Sequence, residues 1–286
     1  MRRAPLLLAL LATPAAMATA DASILDMFRP KPAPRPAPRR PAAARRAVAL
    51  PQVEGPRGRP LVVIDAGHGG HDPGAPGADG VRREKQAALG LATAVRDALV
   101  KGGRVRVALT RGDDRYLILA DRREIARRLG ADLFISIHAD SAPNPAARGA
   151  TIYTLSDVAS DRVAAQLAAK ENRADVIAGV DLGGESAEVS SILIDLARRE
   201  TMNVSSTFAG LLQRELSPLI RFRTNFHKFA GFVVLKAPDV PSILFEAGYM
   251  SNVEDETLLF SDDYRQKVAR GMRAAIEAHF ARAAAK

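Results

Sequence analysis

Three short segments concentrate residue types able to bind a metal or move a proton, and each stands directly after an apolar run. Asp65-Ala66-Gly67-His68-Gly69-Gly70 follows Leu61–Ile64, His138-Ala139-Asp140 follows Leu133–Ile137, and Glu246-Ala247-Gly248 follows Ser242–Phe245. Glu84 opens the amphipathic stretch that comes after the first of these loops. Two histidines and a carboxylate are sound zinc ligands, with donor distances of about 2.0–2.2 Å and a fourth tetrahedral position left for water. Zinc brings the pKa of that water to about 7, so hydroxide is available at neutral pH. A second carboxylate can then carry the proton, and Glu246 suits the task because an apolar strand would hold it rigidly in a partly dry site. Taken singly, each residue has an ordinary explanation: a loop histidine, turn glycines, a first-turn glutamate favoured by the helix dipole. Their convergence at three strand ends carries the reading, and spacing alone leaves the metal open.

The elements that must position these residues follow from the apolar pattern. Leu61–Asp65, Val105–Leu109, Leu133–Ile137, Ala150–Leu155, Phe232–Leu235 and Ser242–Phe245 read as strands. Glu84–Val100, Leu119–Leu129 and Tyr264–Ala281 read as helices, the first two closed by glycine. Strands alternating with helices predict an α/β fold: a mixed, mostly parallel twisted sheet with helices on both faces, forming a single catalytic domain. In such sheets functional residues collect just past the carboxyl ends of the strands, which is where the three segments fall.

Composition narrows the function. The 286 residues are 47% hydrophobic and 26% charged, enough for a sizeable core. With no cysteine there is no disulfide framework, thiolate metal site or cysteine nucleophile. The net charge of +9 suggests nucleic acid, but residues 1–60 carry +8 of it and residues 61–286 only +1. A nearly neutral domain is a poor phosphate-backbone binder, so no nucleic-acid partner is expected. Residues 1–20 read as a secretory signal peptide: Arg2-Arg3, the apolar Leu6–Leu11 and Ala18-Thr19-Ala20. The apolar run falls short of the roughly 20 residues of a spanning helix, so no stable membrane anchor is expected. Residues 21–59 read as a disordered Pro/Arg-rich linker, and residues 60–286 as the catalytic domain.

The string Val63-Ile64-Asp65-Ala66-Gly67-His68-Gly69-Gly70-His71-Asp72-Pro73-Gly74 resembles the zinc-dependent N-acetylmuramoyl-L-alanine amidases of the bacterial cell-division type. So do Glu84-Lys85, Leu109-Thr110-Arg111, Ile135–Asp140 and Glu246–Asn252, in the family's order from about Pro60 to Phe280. The resemblance implies Zn2+ held by His68, Glu84 and His138, with Glu246 as the catalytic glutamate. His71 and Asp72 fall on loop positions without a ligand role. Arg111, at another strand end, is placed either to hold a carboxylate of the peptide or to brace the site, and bracing is the favoured role. The implied substrate is peptidoglycan, cut at the amide between N-acetylmuramic acid and L-alanine during wall remodelling and daughter-cell separation. The implied compartment is the periplasm. A zinc peptidase acting within the stem peptide and a catalytically idle wall-binding domain are the alternatives. All four site residues being present speaks against the idle domain.

Residues 156–225 exceed what one crossover helix needs. They read as a helical insertion: Ser156–Asn172, Ile192–Arg199 and Thr207–Leu216, with joints at Gly179, Gly183 and Gly184. Division amidases with an insertion here resemble autoinhibited enzymes, in which a helix covers the cleft until a periplasmic activator with a degenerate metallopeptidase domain moves it. Asp157, Asp161, Glu185 and Glu188 are the acids this reading offers as the block.

Overall fold

A computed structural model describes residues 48–177 and 192–285. The signal-peptide reading, the linker up to residue 47, Gly179, Gly183, Gly184, Glu185 and Glu188 lie outside the described residues.

The expected architecture is present. Strands β1 (Leu61–Ala66), β2 (Arg106–Leu109), β3 (Leu133–His138), β4 (Ala150–Leu155), β5 (Phe222–Ala230) and β6 (Ser242–Glu246) form one sheet in the order β2-β1-β3-β6-β4-β5. The first four in that order run parallel, whereas β4 lies antiparallel to β6, and β5 runs parallel with β4. The carboxyl ends of β1, β3 and β6 and the start of β4 therefore meet at one edge.

Strand alternation sorts the side chains onto two covered faces. On one, Val62, Ile64, Ile135, Ile137, Ile243 and Phe245 pack beneath α1 (Glu84–Gly102), α5 (Ile192–Leu216) and α7 (Asp262–Ala283). On the other, Val63, Phe134, Leu244 and Tyr153 pack beneath α2 (Leu119–Leu129) and α3 (Arg162–Asn172). Asp65, Ser136, His138 and Glu246 alternate onto this second face, where each strand reaches the sheet edge. A short helix, α4 (Ala174–Ile177), continues from α3, and α6 (Val253–Leu259) precedes α7. Among the described residues no helix is long and apolar enough to cross a membrane.

Four sequence expectations in residues 60–286 differ from the structure, and the first is that Ile192–Arg199 and Thr207–Leu216 are parts of one continuous helix, Ile192–Leu216. Phe232–Leu235 is not a strand: Val233–Leu235 form a single 3-10 turn whose apolar side chains pack under α2. A short apolar run records burial without fixing backbone type. The strand is instead Phe222–Ala230, which makes residues 222–225 sheet rather than helical insertion; its interleaved Arg223, Thr224, Asn225 and Lys228 are typical of a protected sheet edge. The helix expected over Ser156–Asn172 starts only at Arg162, where Asp161 caps it by accepting from the Ala164 amide at 2.8 Å.

Residues 48–59, assigned to the linker on composition, lie along the domain. Glu54 exchanges two backbone hydrogen bonds of 2.9 Å with Val107, and Val48 and Val53 pack against the second core face. Val48 also accepts from Arg128 at 2.8 Å through its carbonyl.

Candidate metal and catalytic centre

The first ligand loop is bent by its glycines and fastened by two buried arginines. His68 itself takes a left-handed φ of 60°, and Gly69 and Gly70 continue at 119° and 58°. Gly67 is glycine because of a close approach: a Cβ there would lie 2.4 Å from His138 Cε1. Arg111 donates to the carbonyls of Ala66 (2.8 Å), Gly67 (2.6 Å) and Lys85 (3.0 Å), tying the loop to the start of α1. It braces the loop, as expected. Arg122, from α2, donates to the carbonyls of Ala66 and His68 at 2.7 Å each and to Asp65 Oδ1 at 3.0 Å. Asp65 also accepts from Thr110 (2.5 Å) and Ser136 (2.7 Å). Burial pushes the Asp65 pKa up, but Arg122 and the two hydroxyls outweigh it and hold the carboxyl below its ordinary value.

His68, Glu84, His138 and Glu246 come together. His68 Nδ1 meets Asp72 Oδ2 at 2.9 Å, which turns Nε2 inward. That Nε2 lies 3.0 Å from Glu84 Oε1, and His138 Nδ1 lies 3.1 Å from the same oxygen. The Ala139 amide (3.0 Å, to Oε1) and the Ala75 amide (2.9 Å, to Oε2) fix the Glu84 carboxylate. Asp72 therefore has a role the motif reading gave it none for: it orients the His68 ring, as carboxylates commonly do for metal-binding histidines. His71 stacks beside Tyr116 at 4.2 Å, outside this cluster. His227 and His279 are packing histidines, one against Thr154 at 3.0 Å and one against the Phe208 ring.

Glu246 is fully buried, and its Oε2 accepts from the Asp140 amide at 2.9 Å. Burial, Glu84 and Asp140 all push its pKa well above the ordinary carboxylate range. Burial and Glu84 likewise lift Asp140 to about 6, against the pull of Lys170.

The acid missed from sequence is Glu171. It projects from the last turn of α3, with Oε2 3.5 Å from His68 Nε2 and 3.4 Å from His138 Nδ1. His68, His138 and Glu171 form a buried group whose donor atoms lie within 4.8 Å of one another, a spacing that could hold a metal ion. Asp157 and Asp161 do not reach it: Asp157 pairs with Arg198 at 2.6 Å, and Asp161 caps α3 and pairs with Lys228 at 3.0 Å. A signal for Glu171 was present, since Ala164, Leu167, Ala168 and Glu171 share one helical face and are all buried. The neighbouring Lys170 ion-pairs with Asp140, Asn172 bonds Gly231 and Val233, and Asp175 accepts from Tyr116 (3.1 Å) and the Leu119 amide (2.9 Å). The segment thus crosses the cleft and is fastened on both sides, leaving a cavity of about 10 Å³ beside the histidines.

The donor set fits a divalent cation. His68 Nε2, Glu171 Oε1 and Glu246 Oε1 are buried without hydrogen-bond partners. Burial opposes a charge on His68, yet Glu84, Glu171 and Asp72 overcome it and push its pKa well up, so the pocket favours positive charge.

The family model for N-acetylmuramoyl-L-alanine amidase matches residues 62–278, most of the chain. The chain belongs to this amidase family. It is 38% identical over 231 residues to the N-acetylmuramoyl-L-alanine amidase AmiA of Escherichia coli K12, covering 80% of this chain and 79% of that one. Among solved structures, the catalytic domain of the amidase CwlV from Bacillus (Paenibacillus) polymyxa superposes with a TM-score of 0.58 at 27% identity, covering 78% of this chain and 98% of that one. The amidase AmiC2 of Nostoc punctiforme gives 0.56 at 28% identity, with 78% and 98% covered. The amidase reaction is hydrolysis of the amide joining N-acetylmuramic acid to L-alanine in peptidoglycan, and the buried histidines and carboxylates lie at the sheet edge where that chemistry belongs.

Proposed function

We propose that the amidase holds one zinc ion through His68 Nε2, Glu84 and His138 Nδ1, and that Glu246 carries the proton. Zinc, when bound, polarises the amide carbonyl and lowers the pKa of a water molecule. Glu246 keeps one oxygen on the Asp140 amide and the other, Oε1, free to accept the water's proton. Its raised pKa suits a group that then returns this proton to the departing amine of L-alanine. Asp72 holds His68 in the tautomer that leaves Nε2 free to ligate, and Arg111 and Arg122 keep the loop from relaxing.

Glu171 gives this enzyme a resting state. A catalytic zinc site has three protein ligands and an open position, whereas four protein ligands make a closed one. The single observation that carries this reading is the position of Glu171 against both histidine nitrogens, over a cavity too small for a peptide. Productive binding then requires α3 to withdraw, and a periplasmic activator with a degenerate metallopeptidase domain is the partner that would withdraw it. Residues 1–20 export the chain to the periplasm, where the amidase serves wall remodelling and daughter-cell separation. Mass spectrometry of muropeptide digests, with and without a chelator, tests the activity. Release of free stem peptide beginning at L-alanine supports it, and cleavage inside the peptide refutes it.

A further inference from the structure

The domain carries a second, larger cavity that the chemistry above does not use. It has a volume of about 580 Å³, within the range of ligand pockets, and lies between loop 142–148, the first half of α3 and the start of β5. Arg148, Arg162, Arg221, Arg223 and Lys228 line it, and no carboxylate does so among the described residues. Two of the five are neutralised from behind: Arg148 by Glu254 and Lys228 by Asp161. Arg162, Arg221 and Arg223 form no direct ion pair with a carboxylate among the described residues, although the charge of Arg221 is felt by Asp255 and Arg223 lies against Tyr249. Residues 61–286 carry a net charge of only +1, so this concentration of arginine is local and not a general basicity of the domain.

The groove opens beside the catalytic edge. Thr151 is the antiparallel partner of Glu246, its hydroxyl lies 3.4 Å from Tyr249 Oη, and the Arg223 guanidinium stands 5.4 Å from the centre of the Tyr249 ring. From β6 across β4 to β5 is two strand spacings, about 10 Å, or about three residues of extended peptide. In the substrate of an amidase the lactyl carboxyl is tied up in the scissile amide and the neutral sugars carry no acid. The acids lie in the stem peptide, within the first few residues after the amide. Guanidinium groups bind carboxylates through paired, planar hydrogen bonds.

We propose that the β5 side of this groove binds the carboxylates of the stem peptide, with Arg221 and Arg223, which stand at the start of β5 and not on the withdrawing α3, selecting an acidic peptide over an amidated one. The assignment rests on the reaction being centred at Glu246, and its test is a binding measurement that needs no turnover. The full-length protein would be titrated by calorimetry with the synthetic tetrapeptide alanine–γ-glutamate–diaminopimelate–alanine and with the same peptide amidated on its side carboxylates. The acidic form should bind about tenfold tighter, and the preference should weaken with salt as screening grows. Arg221→Gln and the double variant Arg221→Gln/Arg223→Gln should narrow or abolish the gap while thermal midpoint and bound zinc stay unchanged. Arg221 is exposed, so its single variant separates a binding defect from any disturbance of the Tyr249 contact. Equal affinity for the two peptides, no binding of the acidic one, a preference that survives both variants, or binding to phosphatidylglycerol vesicles in place of peptide would each overturn the proposal. Loss of muropeptide hydrolysis with the peptide preference intact would count instead against the role given to Glu246.

Discussion

His138 and Glu246 are register partners at the carboxyl ends of the adjacent parallel strands β3 and β6. Their side chains therefore leave the sheet on the same face, on strands about 4.8 Å apart. A proposed ligand and a proposed proton carrier are thus positioned by sheet hydrogen bonding and not by a loop. Their separation of roles is testable. Glu246→Gln keeps shape and the Asp140 amide contact, so bound metal should stay at one per chain while turnover falls about 10²–10⁴-fold. Metal analysis beside a muropeptide assay checks this, and stoichiometric loss of metal would make Glu246 a ligand.

Gly67→Ala should act on the metal without replacing a ligand. The added methyl would meet the His138 ring at 2.4 Å, so the imidazole or the loop must move. Metal affinity should drop by about 10–100-fold, the scale seen when a supporting contact of a ligand is disturbed. Titration against a chromophoric chelator measures it; an unchanged affinity would mean the loop gives way at no cost to the site.

The buried pair Asp65–Arg122 predicts an acid-labile fold. Because the folded-state pKa of Asp65 lies below its unfolded value of about 3.9, its stabilisation is fully present above that value. It is lost as pH falls through the lower folded-state pKa. Asp65→Asn should accordingly flatten the fall in thermal midpoint below about pH 4. At neutral pH the substitution leaves Arg122 buried without its counter-charge, a loss of about 3–5 kcal/mol. Thermal melts of both proteins from pH 3 to pH 7 are the measurement.

Much of this site was legible because strand ends announce themselves. The apolar runs before His68, His138 and Glu246 stop where polar residues begin, and the sheet is built from those runs. Glu171 was less legible because it sits in a helix, where a buried acid looks like any polar residue until its face is counted. Strand β5 escaped notice because an edge strand with one polar side lacks the continuous apolar run of a central one. Residues 48–59 were hidden by their proline and glycine content, although two backbone bonds from Glu54 and two valines suffice to seat them.

Those residues set where the domain can be cut. A chain beginning at Val48 should melt like the full-length protein, whereas one beginning at Pro60 loses the Glu54–Val107 pairing and the packing of Val48 and Val53. A loss of about 2 kcal/mol in a domain of this size lowers the thermal midpoint by roughly 4–8 °C. Equal midpoints for the two truncations would show that the segment adds nothing to stability.

Glu171→Gln distinguishes a block from a working ligand. If Glu171 closes the site in a resting state, removing its charge weakens the closed form while His68, Glu84 and His138 still hold the metal. A closed form favoured by about 3 kcal/mol leaves near one molecule in a hundred open, and each 1.4 kcal/mol removed raises that share about tenfold. Activity on purified sacculi without any activator should therefore rise by at least about tenfold, at unchanged metal content. Lys170→Ala, which cuts the fastening of α3 to Asp140, should raise it less, because that pair is partly exposed and the neighbouring Glu171 stays in place. Combining the two should gain little beyond Glu171→Gln once the open form predominates. A fall in activity with loss of metal in Glu171→Gln would instead make Glu171 part of the working site, and α3 a fixed wall of the cleft.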